Sequence, residues 1–154
     1  MPSIIVLDKL SPDGLALLDA AAKLGISYEV KTGLSGEELK DALASHDGAI
    51  CRSGVKITAD ALSGNHRLRA IVRAGVGTDN IDKQAATRQG IVVMNTPAGN
   101  TVSTAEHAFT LLLALSRNVA PADASLREHR WDRSKYMGVQ LAGKTLGIVG
   151  MGRI

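Results

Sequence analysis

The residues best placed to do chemistry in this 154-residue chain are arginines and glycines. Gly75-Val76-Gly77 and Gly150-Met151-Gly152 each follow an apolar run, "LRAIVRA" before the first and "TLGIV" before the second. Glycines in such a place let backbone N–H groups close on an anion near a helix N-terminus. With 16 glycines in the chain, chance gives about one or two Gly-x-Gly tripeptides, and both also read as plain tight turns between strand and helix. Two arginines favour the anion. In an open parallel sheet, ligands sit outside the carboxyl ends of the strands. Arg52 follows one strand-like run and Arg73 ends the next, while Asn95 and Asn100 flank a joint after a third. Cations and amide donors thus gather at one edge, suited to a small carboxylate or phosphate. An arginine fork makes two charge-assisted hydrogen bonds, each contributing roughly 1.5–3 kcal/mol.

Other candidates are weaker. Glu106 and His107 are adjacent on a helix and point about 100° apart, so they cannot face each other as an acid–base pair. His46, His66 and His129 have no partners at metal-ligand spacing, and no metal site is expected. Cys51 stands beside Arg52 but reads as a buried small hydrophobe. Arg127, Arg130, Arg133 and Lys135 are interspersed with Glu128 and Asp132, which on composition alone is a solvated face.

The elements that must hold the arginines alternate in type. "SIIVL" (3–7), "ISYEV" (26–30), "GAICR" (48–52), "LRAIVRA" (68–74) and "IVVMN" (91–95) read as strands. Between them lie helix signals: Ser11-Pro12-Asp13, the capping box Ser35-Gly36-Glu37-Glu38, a short helix at 58–62, and Asp82 before "KQAATRQ" with Gly90 after it. Five strands joined by helices predict an α/β fold, a flavodoxin-like parallel sheet over residues 1–97.

After "NTPAGNT" the pattern changes. Thr101 or Ser103 is predicted to cap a long helix to about 118, apolar on most of its circumference and so expected to be buried between domains or subunits. A helix at about 121–129 follows, then "TLGIVG" as a further strand. Residues 98–154 therefore read as a second domain begun but not finished, one residue short of G-x-G-x-x-G.

Composition sets bounds. Charged residues are 21% and hydrophobic ones 45%, which excludes a disordered chain, and a net charge of +3 is too mild to argue for nucleic acid. The longest apolar stretch falls far short of the roughly 20 residues of a membrane span. One cysteine allows no internal disulfide and fits a reducing, cytoplasmic setting.

"CRSGVKIT", "IVRAGVGTDNIDKQAATRQGIVVMNTPAGNTVSTAEHAF" and "LAGKTLGIVGMGRI" closely resemble the D-isomer-specific 2-hydroxyacid dehydrogenases. The likeness is greatest to the members that oxidise 3-phospho-D-glycerate with NAD in serine synthesis. It implies a substrate-binding domain at both ends of a longer chain and a Rossmann NAD-binding domain between. It further implies Arg52, Ser53, Arg73, Gly75, Val76, Gly77 and Asn100 as substrate contacts, with Val76 also near the nicotinamide. Arg133 resembles the basic residue that reaches the substrate phosphate across a dimer interface. Gly150, Gly152, Arg153 and Ile154 would begin the pyrophosphate turn. The family's catalytic arginine, histidine and glutamate have no counterparts here, so no catalytic residue is expected. The expected function is that of the front part of an NAD-dependent phosphoglycerate-oxidising enzyme, inactive alone, that assembles as a homodimer or higher homo-oligomer through residues 99–135.

Two alternatives stand beside it: a dehydrogenase for another D-2-hydroxy acid, and a non-catalytic module that binds NAD or a small anion. A phosphoacceptor receiver is disfavoured because Cys51-Arg52 occupies the end of the third strand, where a carboxylate would be needed.

Overall fold

A computed structural model describes residues 1–154. The chain divides into two compact units, Met1–Gly99 and Asn100–Ile154.

The first unit runs β1 (Ser3–Val6), α1 (Pro12–Ala22), β2 (Ser27–Val30), α2 (Gly36–Ala44), β3 (Gly48–Cys51), α3 (Ala59–Leu62), β4 (Ala70–Arg73), α4 (Lys83–Arg88) and β5 (Val92–Asn95). The five strands form one sheet in the order β2-β1-β3-β4-β5, every pair parallel. The strand order reverses between β1 and β3, which is where an open sheet of this kind leaves a crevice at its carboxyl ends.

Local chemistry accounts for most helix starts. The Ser11 side chain accepts from Gly14 N–H ahead of Pro12, Thr58 accepts from Ala61, and Asp82 accepts from Ala85. Each bond satisfies an N–H that helix geometry leaves without a partner. The capping box expected at Ser35 does not form: Ser35 is the N-cap but its side chain makes no capping bond. Gly90 closes α4 with φ +70, a conformation that favours glycine.

The core consists of aliphatic side chains from the sheet (Ile5, Leu7, Ala49, Ile71) packed against Leu39 and Leu43 of α2, Leu62 of α3, and Ala85 and Ala86 of α4. Burying each large aliphatic side chain contributes about 1.5–3 kcal/mol. At the amino-terminal end of the sheet, Asp47 accepts from Ser3 N–H at 2.8 Å and pairs with Arg67 at 3.1 Å. Those two contacts hold its carboxyl well below the usual carboxylate range.

The second unit holds α5 (Thr101–Ser116) and α6 (Val119–Arg127), linked by Asn118 in the left-handed region at φ 52. Its N-cap is Asn100, which makes no side-chain capping bond, rather than Thr101 or Ser103. Residues 137–139 close against the end of α5: Val139 N–H donates to Ser116 O at 2.8 Å and Asn118 Nδ2 to Met137 O at 3.2 Å. Gly138 is required there, because a Cβ would fall 2.7 Å from Arg117 Cα.

In this unit the strand expected at 145–149 does not form, and the helix expected to be buried between domains or subunits is uncovered within this single chain. No α5 residue is buried within the chain, and Phe109, Leu111, Leu113 and Leu115 are all exposed. The apolar faces of the helix are real, but this chain does not cover them. Residues 145–149 form no strand. A strand needs a neighbour for its N–H and C=O groups, and none pairs with this run. No helix in either unit is long and apolar enough to cross a membrane.

Candidate anion-binding rim

Strands β3 and β4 place the first group of candidate residues. Their register puts Cys51 beside Arg73, and pairing continues one step further, with Ala74 N–H donating to Cys51 O at 2.8 Å. Arg52, Ser53, Arg73, Gly75, Val76 and Gly77 therefore leave neighbouring strands at the same carboxyl-end rim.

Arg73 is half-buried and folds back over its own glycine turn. A Cβ on Gly75 would lie 2.5 Å from Arg73 Nη1, and one on Gly77 would lie 3.8 Å from the same atom. The guanidinium lies this close to the bend because Gly75 carries no Cβ. Its Nε is buried and has no hydrogen-bond partner, and no ion pair in the chain includes Arg73 or Arg52. A buried N–H donor on a cation without an acceptor is costly, and a bound anion relieves that cost.

The bend itself is fixed from β5. Asn95 Nδ2 donates to Val76 O at 2.7 Å and Thr96 N–H to Gly75 O at 3.0 Å. Asn95, expected as a donor to ligand, is thus occupied in holding the turn. The N–H groups of Val76 and Gly77 take part in no backbone–backbone hydrogen bond.

Arg52 is exposed and its backbone is held through two residues that the sequence reading passed over. Asp8, two residues past β1, accepts from Arg52 N–H at 2.6 Å. Asn80 donates from Nδ2 to Arg52 O and to Val55 O, both at 2.8 Å. Asp8 had a signal: an acid immediately following an apolar strand stands at the same rim. Asn80 had none, since its partners lie 28 and 25 residues away. Cys51, beneath this rim, is fully buried. Burial first and the nearby Asp8 charge second push its thiol up to about 11, against smaller opposing effects of Asn80 and Arg73. It is a neutral packing residue, not a nucleophile.

The remaining candidates belong to the second unit. Asn100 accepts from Thr104 N–H at 2.9 Å through its carbonyl. Arg133 lines a groove of about 940 Å³ with Arg117, Trp131, Tyr136 and Met137. Its neighbours in sequence are neutralised, Arg127 by Asp123 at 2.8 Å and Arg130 by Glu128 and Asp132. Arg133 pairs with nothing. Gly150, Gly152, Arg153 and Ile154 are exposed, and a Cβ on either glycine would meet nothing within 4 Å. They form no cradle.

An α/β unit with its cations at the carboxyl end of a 2-1-3-4-5 sheet carries them where open sheets of this kind hold their ligands. Comparison narrows the class. The profile of the "D-isomer specific 2-hydroxyacid dehydrogenase, catalytic domain" matches residues 4–145, and the chain belongs to this family. It is 45% identical over 151 residues to D-3-phosphoglycerate dehydrogenase of Archaeoglobus fulgidus, covering 98% of this chain and 28% of that protein. It is 46% identical over 154 residues to D-3-phosphoglycerate dehydrogenase 2, chloroplastic, of Arabidopsis thaliana, covering 99% and 24%. Its fold is similar to that of NAD-dependent formate dehydrogenase from Staphylococcus aureus in complex with NAD, with a TM-score of 0.84 and 27% identity over 99% of this chain and 50% of that one. The chain spans about a quarter of the length of these curated relatives.

Proposed function

We propose that this chain supplies the acid-binding part of an NAD-dependent oxidoreductase that oxidises 3-phospho-D-glycerate in serine synthesis, acting in the cytoplasm as a homodimer. The observation that carries the reading is Arg73, a half-buried guanidinium without an ion-pair partner, laid over a glycine turn at the sheet's carboxyl edge. Arg73 and the N–H groups of Val76 and Gly77 would hold the substrate carboxylate, with Arg52 and Ser53 beside them. Asn100 is a further proposed substrate contact, and the unpaired Arg133 is the proposed phosphate contact, reached across the homodimer interface. The likeness to phosphoglycerate dehydrogenases supports the substrate, and the likeness to an NAD complex supports the cofactor.

Residues 150–154 do not by themselves enclose a nucleotide. This chain's share is to bind and orient the acid. Chemistry requires a proton carrier, and no histidine lies among the rim residues. His46 is engaged with Ala42 O at 2.7 Å on α2. The chain alone is therefore expected to show no turnover and little NAD affinity. NADH production by the purified 154-residue protein would contradict this.

The substrate class is tested by thermal shift of the same protein. 3-Phosphoglycerate is expected to raise Tm more than unphosphorylated glycerate, and equal effects would remove the phosphate assignment. Glycerate or another D-2-hydroxy acid raising Tm alone would favour the sister dehydrogenases.

A further inference from the structure

Asn80 sits where two walls of the rim meet. Its main chain ties to the segment after β3, with Ile57 N–H donating to Asn80 O at 2.8 Å and Ile57 bridged to Ile81. Its side chain adds the bonds to Arg52 O and Val55 O. Both partners are carbonyls, which only accept, so the amide nitrogen must face them. That orientation leaves Oδ1 buried without a partner. A stranded buried acceptor is unfavourable, and an apolar residue at this position would avoid it. What the arrangement secures is the course of residues 52–55. Asp8 holds the N–H of Arg52 from one side and Asn80 its C=O from the other, while Gly54 lies against the Asp8 carboxylate with no room for a Cβ.

We propose that Asn80 is a positioning residue for acid binding: it locks the Arg52–Val55 loop to the 75–80 segment, so that Arg52 and Ser53 reach the same ligand as Arg73. This rests on the proposed reading of the rim as the acid site. Asn80 touches no ligand in this scheme. It acts through the two carbonyls, which fix the backbone from which the exposed Arg52 side chain leaves, while the guanidinium itself donates from Nη1 to Lys9 O at 3.4 Å.

The test is a titration of the ¹⁵N-labelled 154-residue chain with 3-phosphoglycerate, comparing wild type with Asn80→Ala and Asn80→Asp. In wild type, the amides of Ser53 and Gly54 shift together with those of Gly75, Val76 and Gly77 along one saturation curve. In Asn80→Ala the turn amides still respond, those of Ser53 and Gly54 cease to, and affinity falls about tenfold. Asn80→Asp keeps the side-chain shape while removing both donors, and gives the same separation if the alanine variant fails to fold. A merely structural role would change the folded fraction without parting the loop signals from the turn signals. Joint titration of loop and turn at wild-type affinity in both variants overturns the proposal. Wild-type protein that responds in neither segment overturns the acid-site reading itself.

Discussion

The two Gly-x-Gly turns share a motif and differ in everything around it. Gly75-Val76-Gly77 follows a paired strand, carries Arg73 across its face and is held from β5 by Asn95 and Thr96. Gly150-Met151-Gly152 follows an unpaired run and has open space where a side chain would be. The glycines give both turns the same backbone freedom. Within this chain only the first has neighbours that fix the turn and a charge aimed at it.

Substitutions ahead of each turn give the largest contrast. Ile71 in β4 is fully buried, whereas Ile148 is 63% exposed. Ile71→Ala is expected to destabilise the first unit by about 2–5 kcal/mol. Ile148→Ala is expected to stay within about 0.5 kcal/mol. Urea unfolding of both variants measures the difference, and similar costs would break the comparison.

Next come the charges and the glycines. Arg73→Ala should weaken 3-phosphoglycerate binding by about 1.5–3 kcal/mol, the contribution of a hydrogen bond to a charged group, while Arg153→Ala leaves it unchanged. Gly75→Ala should weaken binding less, by displacing the flexible guanidinium tip, and Gly152→Ala should do nothing. Calorimetric titration at one salt concentration ranks all four, and an effect of Arg153→Ala equal to that of Arg73→Ala would place the site at the other turn.

The smallest expected effect concerns acid. Asp47 has its pKa lowered by Arg67 and Ser3 in the folded state, so its stabilisation is present above the unfolded value of about 3.9 and is lost as pH falls below it. Asp47→Asn should flatten that part of the stability curve. An unchanged slope in the variant would mean that other carboxylates carry the acid dependence.

Much of the first unit could be read from the sequence because its signals are local. The five apolar runs are the five strands, and Ser11, Thr58 and Asp82 cap the helices they precede. Ser35 misled because a capping box states only which residues could bond, and the Ser35 side chain makes no such bond. The run at 145–149 misled because β-branched composition describes a strand's side chains and not the neighbour its backbone requires. Arg52 and Arg73 were found by a rule about strand ends. Asn80 was not, since its role depends on carbonyls brought close only by the sheet's register.

The unpaired run has a practical side. Leu146, Ile148 and Val149 are solvent-facing, with Val149 wholly so, and the stretch "TLGIVGMG" carries no charge and no proline. Such an exposed, unpaired apolar run is open to association with copies of itself, although its three glycines disfavour a regular cross-β stack. At high concentration, self-association should begin at this stretch, and Val149→Lys is the smallest change expected to keep the protein in solution.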